Sequence, residues 1–403
     1  MSILWIYDKP IDPHAGGTER ATHLVMTALA ERGYPTAGFL VVQQDPPHAI
    51  HDAGGDPVED LYAFLKANDI DVVVNQIGYS KWLLEEFLSR GGSRWHDEGG
   101  RIVTKLHFDP LMFTTGLREL LRDWGHRSPR MKLRRLGRIA LLPLERRKAG
   151  RTLREAYAYL LDQSDAYVIL SDKYRQKFLK LSGKSQENKL RAISNPNTFA
   201  TPLQQERVLH KRKTVLIVSR LDEPQKRVSL ALLAWGRALA GGAFTDWTLK
   251  VLGDGDYRED YRELVARKRI PNVEFVGRIN PEPYYEEAAI YLHTAKREGW
   301  GLTIAEAMQK GVVPLVMRSS PVFEVLIVEG VNGLLVENAN VRPLPRTPRS
   351  PDADRKSARR HGATPSWPPT LNTLTELFKD GGQCWNIYET EARVLTAACS
   401  HAK

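Results

Sequence analysis

Cysteine is almost absent from this chain. Only Cys384 and Cys399 occur, both near the end and spaced for neither a metal clip nor a redox pair, which excludes a disulfide framework and leaves two ordinary thiols. Long apolar runs are absent too. Nothing approaches the ~18 residues of a membrane span, and the opening MSILWIYDK lacks both a basic start and a long apolar stretch before a small-residue cleavage site. The chain is therefore expected to be made and kept in the cytoplasm. Aromatic residues are not interleaved with the basic run, which argues against nucleic acid as a partner. What remains is 403 residues of ordinary soluble composition, 42% hydrophobic and 26% charged. Single cores stop growing near ~250 residues, so two domains are expected.

The net charge of +10 is local. Between Arg118 and Arg154 lie thirteen Lys or Arg against three acids, Glu119, Asp123 and Glu145, and the rest of the chain is neutral. A charge concentrated in this way predicts one docking surface and not a polyanion-coating protein.

Along the first half, the apolar run ILWIYD passes through KPIDPHAGG into a helical pattern. There Ala21, Leu24, Val25, Ala28 and Leu29 follow the helical spacing and Gly33 stands as a stop. FLVV (39–42), DVVVNQ (71–76), RIVTKLHF (101–108), DAYVILS (165–171) and LRAIS (190–194) are further strand candidates separated by helical stretches. After a polar interval the pattern restarts with TVLIVS (214–219), TLKVLG (248–253), VEFVG (273–277), AIYLHT (289–294), VVPLVM (312–317) and GLLVE (333–337). Such alternation predicts α/β architecture, two successive Rossmann-like parallel-sheet domains with a ligand cleft between them. The expected division is an N-terminal domain over 1–197, a linker over 198–213 and a C-terminal domain over 214–340. A Pro/Arg-rich segment follows over 341–370 and a helical tail over 371–403, with short helical candidates at 371–379 and 386–398.

Ligands of open parallel sheets collect at the carboxyl ends of the strands, and four motifs fall there. In AGGTER, Gly16 and Gly17 permit close backbone approach at a helix start that offers amides to an anion. In SRLDEPQKR, Arg220 and Lys226 stand six apart across a turn and suit a diphosphate, Arg as a fork and Lys as a point charge. GDG at 253–255 is a further possible phosphate turn; Arg258 breaks any GxGxxG, so an NAD site is not read here. In KREGWGLTIAEAMQKG, Gly299 and Gly301 leave amides open at a helix start between Glu298 and Glu306. One carboxylate can meet the reacting end of a substrate and the other a more distant hydroxyl pair. Each motif alone also fits an ordinary solvated turn or helix.

AGGTER, SRLDEPQK, GDG, EFVGRI and EGWGLTIAEAM, in this order, resemble the GT-B retaining glycosyltransferases of family 4, the glycosyl transferases group 1, over residues 1 to about 337. The resemblance implies a two-domain GT-B fold and transfer of a hexose from a nucleotide-diphosphate sugar to a glycan or lipid-linked acceptor, in surface polysaccharide biosynthesis. It implies that Gly17 meets the donor diphosphate from the N-terminal side while Arg220 and Lys226 clamp it from the C-terminal side. Glu298 faces the transferred sugar, the Trp300 and Gly301 amides point to its hydroxyls, and those of Leu302 and Thr303 point to phosphate. Glu306 holds the ribose, and His107 of KLHFDP contacts the sugar.

Electrostatics agrees with this reading, because fixed cations and helix amides stabilise a departing diphosphate while a carboxylate supports the cationic anomeric carbon. Asp69/Asp71, Asp254/Asp256 and Asp352/Asp354 all satisfy a loose D-x-D, too common to carry weight. With Arg220 and Lys226 available, neither metal nor any cofactor beyond the donor substrate is expected. MKLRRLGRIALLPLE (131–145) places Leu133, Leu136, Ile139 and Ala140 on one side of a helix and Arg134, Arg135 and Arg138 on another. That pattern fits either a solvated face or peripheral docking of residues 111–154 on an anionic membrane. The tail departs from the family, since Pro343, Pro345, Pro348 and Pro351 forbid a continuous helix. Two rival functions stay open: a nucleotide-sugar epimerase of the same fold, and a non-catalytic transferase relative that binds membranes or polyanions.

Overall fold

The computed structural model describes residues 1–42, 49–111, 129–208, 210–240 and 244–337. The Pro/Arg-rich segment 341–370, the helical candidates beyond it and residues 112–128 of the basic segment lie outside the described residues. Two compact units are present. The first is Met1–Thr198 together with the short segment Glu298–Trp300, and the second is Phe199–Arg297 with the chain from Gly301 on.

The first unit holds a seven-stranded sheet of β1 (Ser2–Tyr7), β2 (Thr36–Val42), β3 (Ile50–His51), β4 (Ile70–Asn75), β5 (Arg101–Lys105), β6 (Ala166–Ile169) and β7 (Leu190–Ala192). Their order is β3-β2-β1-β4-β5-β6-β7. All neighbours are parallel except β3, a two-residue edge strand paired antiparallel to β2, too short for any periodicity to announce. The first helix, Gly17–Glu31, starts where the glycine turn predicts, and Gly33 adopts a left-handed φ of +79° just beyond it. The basic segment forms part of one helix, Pro129–Gln163, which runs through Pro143. Its last turns cover the sheet: Tyr157 and Tyr167 both pack on Phe178 with ring centroids 4.8 and 4.6 Å away, and all three are fully buried.

The second unit holds β8 (Arg212–Val218), β9 (Thr248–Leu252), β10 (Val273–Gly277), β11 (Ala288–His293), β12 (Val313–Arg318) and β13 (Leu334–Glu337). All are parallel, in the order β10-β9-β8-β11-β12-β13. Val215, Ile217, Leu249 and Val251 pack with Ala231, Leu232 and Trp235 of the helix Val228–Ala240 in one buried cluster. Each fully buried aliphatic side chain contributes about 1.5–3 kcal/mol.

The chain order reverses between β1 and β4 in the first sheet and between β8 and β11 in the second. At such a reversal the loops leaving the two central strands splay apart, and the gap between them is where open parallel sheets hold ligands.

Candidate functional site

In the second unit, the loops that leave β8 and β11 carry the predicted diphosphate residues and lead to the acid motif, whose Glu298–Trp300 segment groups with the first unit. β8 ends at Val218, and the chain turns through Ser219–Arg227. The exposed Arg220 guanidinium donates to Asp222 Oδ2 at 3.1 Å and Gln225 Oε1 at 2.9 Å, and the Lys226 amide donates to the Asp222 carbonyl at 2.7 Å. Behind this turn lies the loop of Gly253 and Gly255. A Cβ on Gly253 would stand 1.9 Å from the Ser219 carbonyl oxygen, at a φ of +128° that already favours glycine. The Leu221 amide also donates to the Asp254 carbonyl at 2.9 Å. These contacts account for the GDG glycines: they let one loop buttress the other.

From β11 the chain closes onto the same turn. Thr294 Oγ1 donates to the carbonyls of Lys226 and Arg227, both at 3.1 Å, and the Lys296 amide donates to the Gln225 carbonyl at 2.7 Å. Glu298 follows two residues later. Gly301 then adopts a φ of +96° as N-cap of the helix Leu302–Gln309, which has no side-chain cap. The Leu302 and Thr303 amides are thus the orphan donors of its first turn. Tyr291 fixes this turn by donating to Thr303 Oγ1 at 2.7 Å. Glu306 is fully buried and accepts from the Tyr285 hydroxyl at 3.1 Å. Burial, with Lys226 and Arg227 close by, pushes the His293 imidazole down to about 3, so the ring under the turn is neutral.

The first unit assembles the other predicted residues. The Tyr174 hydroxyl donates to the Glu298 carbonyl at 2.6 Å, and a Cβ on Gly299 would fall 2.2 Å from the His107 carbonyl oxygen. Only glycine fits there, so the structure brings Glu298 and His107 into one neighbourhood, with Trp300 buried beside them. His107 Nε2 lies 2.6 Å from Gln76 Oε1, which also accepts from Thr22 Oγ1 at 2.9 Å. The amide oxygen only accepts, so Nε2 carries the proton and Nδ1 is the acceptor. Nδ1 is buried with no hydrogen-bond partner among the described residues. Burial, then the Lys105 ammonium, holds this imidazole well below the usual histidine range. Neutral His107 can therefore take a hydroxyl proton in a hydrogen bond but supplies no charge. Burial also pushes Lys105 down to about 8.

Gly16 and Gly17 stand at the start of the first helix, and the carboxylate at that start is the chain's own. Glu19 is buried, accepts from the Tyr7 hydroxyl at 3.3 Å and pairs with Lys9, and a Cβ on Gly16 would meet its Oε2 at 2.7 Å.

Sequence reasoning missed Arg227, Thr294, Tyr285, Tyr291, Gln76 and Glu19. Thr294 closes a strand run, so its position could have flagged it, whereas Arg227 directly after Lys226 reads as an ordinary surface charge. For Gln76 and the tyrosines the signal lies in long-range pairing, which no local spacing carries. Among the described residues no helix is long and apolar enough to cross a membrane.

Comparison with known proteins is consistent with this geometry. Residues 212–346 match the family model described as Glycosyl transferases group 1. A Haemophilus influenzae protein described as an uncharacterized glycosyltransferase is 25% identical over 344 residues, 82% of this chain and 85% of its own. The crystal structure of Anabaena HepE in complex with UDP and glucose superposes with a TM-score of 0.58 at 15% identity, covering 99% of each chain. That of TarM gives a TM-score of 0.56 at 13% identity, covering 90% of this chain. The chain spans only 62% of TarM's length. The fold of two parallel-sheet α/β units expected from the motifs is the GT-B fold of these structures.

Proposed function

We propose that the chain is a glycosyltransferase that moves a hexose from a UDP-sugar to a glycan or lipid-linked acceptor, with retention at the anomeric carbon. The observation that supports it most is the bonding of the β8 turn to the β11 end at the reversal point of the second sheet. Gln225 and Lys226 are tied there to Thr294 and Lys296, two residues before Glu298.

In the second unit, Arg220 and Lys226 neutralise the departing diphosphate, and the Leu302 and Thr303 amides add donors at a helix start; Glu306, buried against Tyr285 in the free protein, takes the ribose once that hydroxyl gives way. Glu298 supports the positive charge that develops at the anomeric carbon, and the Trp300 and Gly301 amides meet sugar hydroxyls. In the first unit, His107 offers Nδ1 to a hydroxyl, and the Gly16–Gly17 turn meets the donor diphosphate only beside Glu19, whose charge Lys9 balances. With two fixed cations facing the leaving group, the reaction needs no divalent ion, and excess EDTA leaves the rate unchanged.

The test is thermal stability with UDP- and GDP-hexoses. A ligand at 100 times its dissociation constant adds about 2.7 kcal/mol, read as a melting point several degrees higher, and Lys226→Ala should abolish most of that rise. If neither UDP nor any nucleotide sugar moves the melting point, the proposal fails. UDP release that depends on added acceptor then separates transfer from epimerisation.

The acceptor side carries a second expectation, docking on the cytoplasmic face of an anionic membrane. The helix Pro129–Gln163 displays Leu144, 60% exposed, beside exposed Arg147, Lys148 and Arg151, the mixture that sits at a lipid headgroup surface. Flotation with vesicles containing anionic lipid tests it, and equal behaviour with neutral vesicles removes it.

A further inference from the structure

Arg227 occupies a place where a turn alone would call for glycine. Its backbone is left-handed, φ +53° and ψ +41°, a conformation that L side chains adopt only at a cost and glycine adopts freely. Such an outlier persists when the surroundings hold it, and here its own side chain does so. The Arg227 Nε donates to the Thr294 carbonyl at 2.8 Å, and Nη2 donates to the Ala295 carbonyl at 3.1 Å and the Met317 sulfur at 3.2 Å. In return, Thr294 Oγ1 donates to the carbonyls of Lys226 and Arg227. The guanidinium is half-buried, and burial lowers its pKa without removing its charge.

From this reciprocal clasp we infer that Arg227 is a positioning residue: it fixes the turn that presents Arg220 and Lys226 to the strand end that leads to Glu298. The left-handed step turns the Arg227 side chain back across the turn, where one planar fork reaches two successive carbonyls of the neighbouring strand end and a sulfur beyond. A lysine offers one ammonium and cannot span the three. The clasp touches no atom that the proposed donor would contact, so its effect passes through geometry. Misplacing a catalytic group by about 1 Å costs on the order of 100-fold in rate.

This inference rests on the glycosyltransferase reading, and its test keeps the two apart. Arg227→Gly, Arg227→Lys and Thr294→Val are compared with the unaltered protein in melting point, in UDP affinity by calorimetry, and in kcat and KM with the UDP-sugar that stabilises the protein most. Because glycine relieves the backbone strain, Arg227→Gly should melt close to or above the parent. Its kcat should fall about 10- to 100-fold, and its UDP dissociation constant should rise no more than about tenfold. Arg227→Lys should follow the glycine variant and not the parent, and Thr294→Val should lower kcat in the same direction by less. A glycine variant with kcat within about twofold of the parent overturns the inference, and so does full rescue by lysine. Should Arg227→Gly fail to fold, Thr294→Val decides, since an unchanged kcat there overturns it equally. If the parent itself neither binds UDP nor transfers sugar, the glycosyltransferase reading has failed and not the clasp.

Discussion

At the carboxyl edge of the second sheet, the ties between loops end on backbone groups, met either by other backbone groups or by the Arg227 and Thr294 side chains. The Ser219–Arg227 turn is held by the Asp254 carbonyl, the Lys296 amide and the close approach of Gly253. At the matching edge of the first sheet, side chains do this work. Gln76 gathers Thr22, 54 residues away, and His107, 31 residues away, while Tyr7 and Lys9 converge on Glu19. A backbone-built edge needs glycines, left-handed residues and short contiguous turns, so it leaves motifs in the sequence. A side-chain-built edge needs only that scattered residues meet, and it leaves almost none. The second plan also exposes buried polar groups to single losses, because each bond has one donor and one acceptor.

The sharpest way to break this comparison is at the chemistry. Glu298→Gln keeps the side-chain shape but removes the carboxylate charge and one acceptor oxygen, and should lower kcat about 1000-fold, in the range of losing a principal electrostatic group, while calorimetric UDP affinity stays within about twofold. Unchanged turnover would show that the backbone-built loops present some other acid.

The next largest effect concerns stability. Gly253→Ala must accommodate a Cβ 1.9 Å from the Ser219 oxygen at a φ of +128°, and should cost about 3 kcal/mol or more in chemical denaturation. Gly277→Ala is its control, with φ +91° but no heavy atom within 4 Å, and should cost only about 1 kcal/mol from strain. Equal losses would mean that close approach between the loops contributes nothing.

On the first sheet the corresponding cut is Gln76→Leu. It leaves the His107 Nε2 proton and the Thr22 hydroxyl buried without their acceptor, at about 2 kcal/mol. If the second plan is right, the loss should come with lower transfer activity, because the His107 ring is no longer oriented; stability loss with unchanged kcat and KM would detach His107 from the site.

What could be read in advance follows the same division. Twelve of the thirteen described strands coincide with apolar runs, since a buried parallel strand is a continuous apolar stretch. β3 escaped because two residues carry no period. Arg220, Lys226 and the Gly299–Gly301 turn were visible as contiguous patterns. Arg227 was not, since a second basic residue after a lysine reads as an ordinary surface charge until its φ and its carbonyl partners are known. Glu306 shows the limit most clearly. Its spacing from Glu298 suggested a carboxylate reaching a hydroxyl pair, but its complete burial against Tyr285 depends on a residue 21 positions away.

Both edges share one feature that a titration can weigh. His107 in the first unit and His293 in the second are buried as neutral rings, the first well below the usual range and the second pushed down to about 3, each chiefly by burial. The unfolded chain takes up a proton at each near pH 6.5 while the folded chain does not. More protons are then bound in the unfolded state, so stability falls as pH drops below about 6.5 and is fully present above it. Each ring contributes about 1.4 kcal/mol per pH unit in that window, until pH approaches its folded value. Denaturant melts at pH 7.0, 6.0 and 5.0 should show this loss, and His107→Gln should remove one ring's share of the slope. A slope that His107→Gln leaves untouched would mean that this ring is protonated in the folded protein, and the neutral acceptor at Nδ1 would go with it.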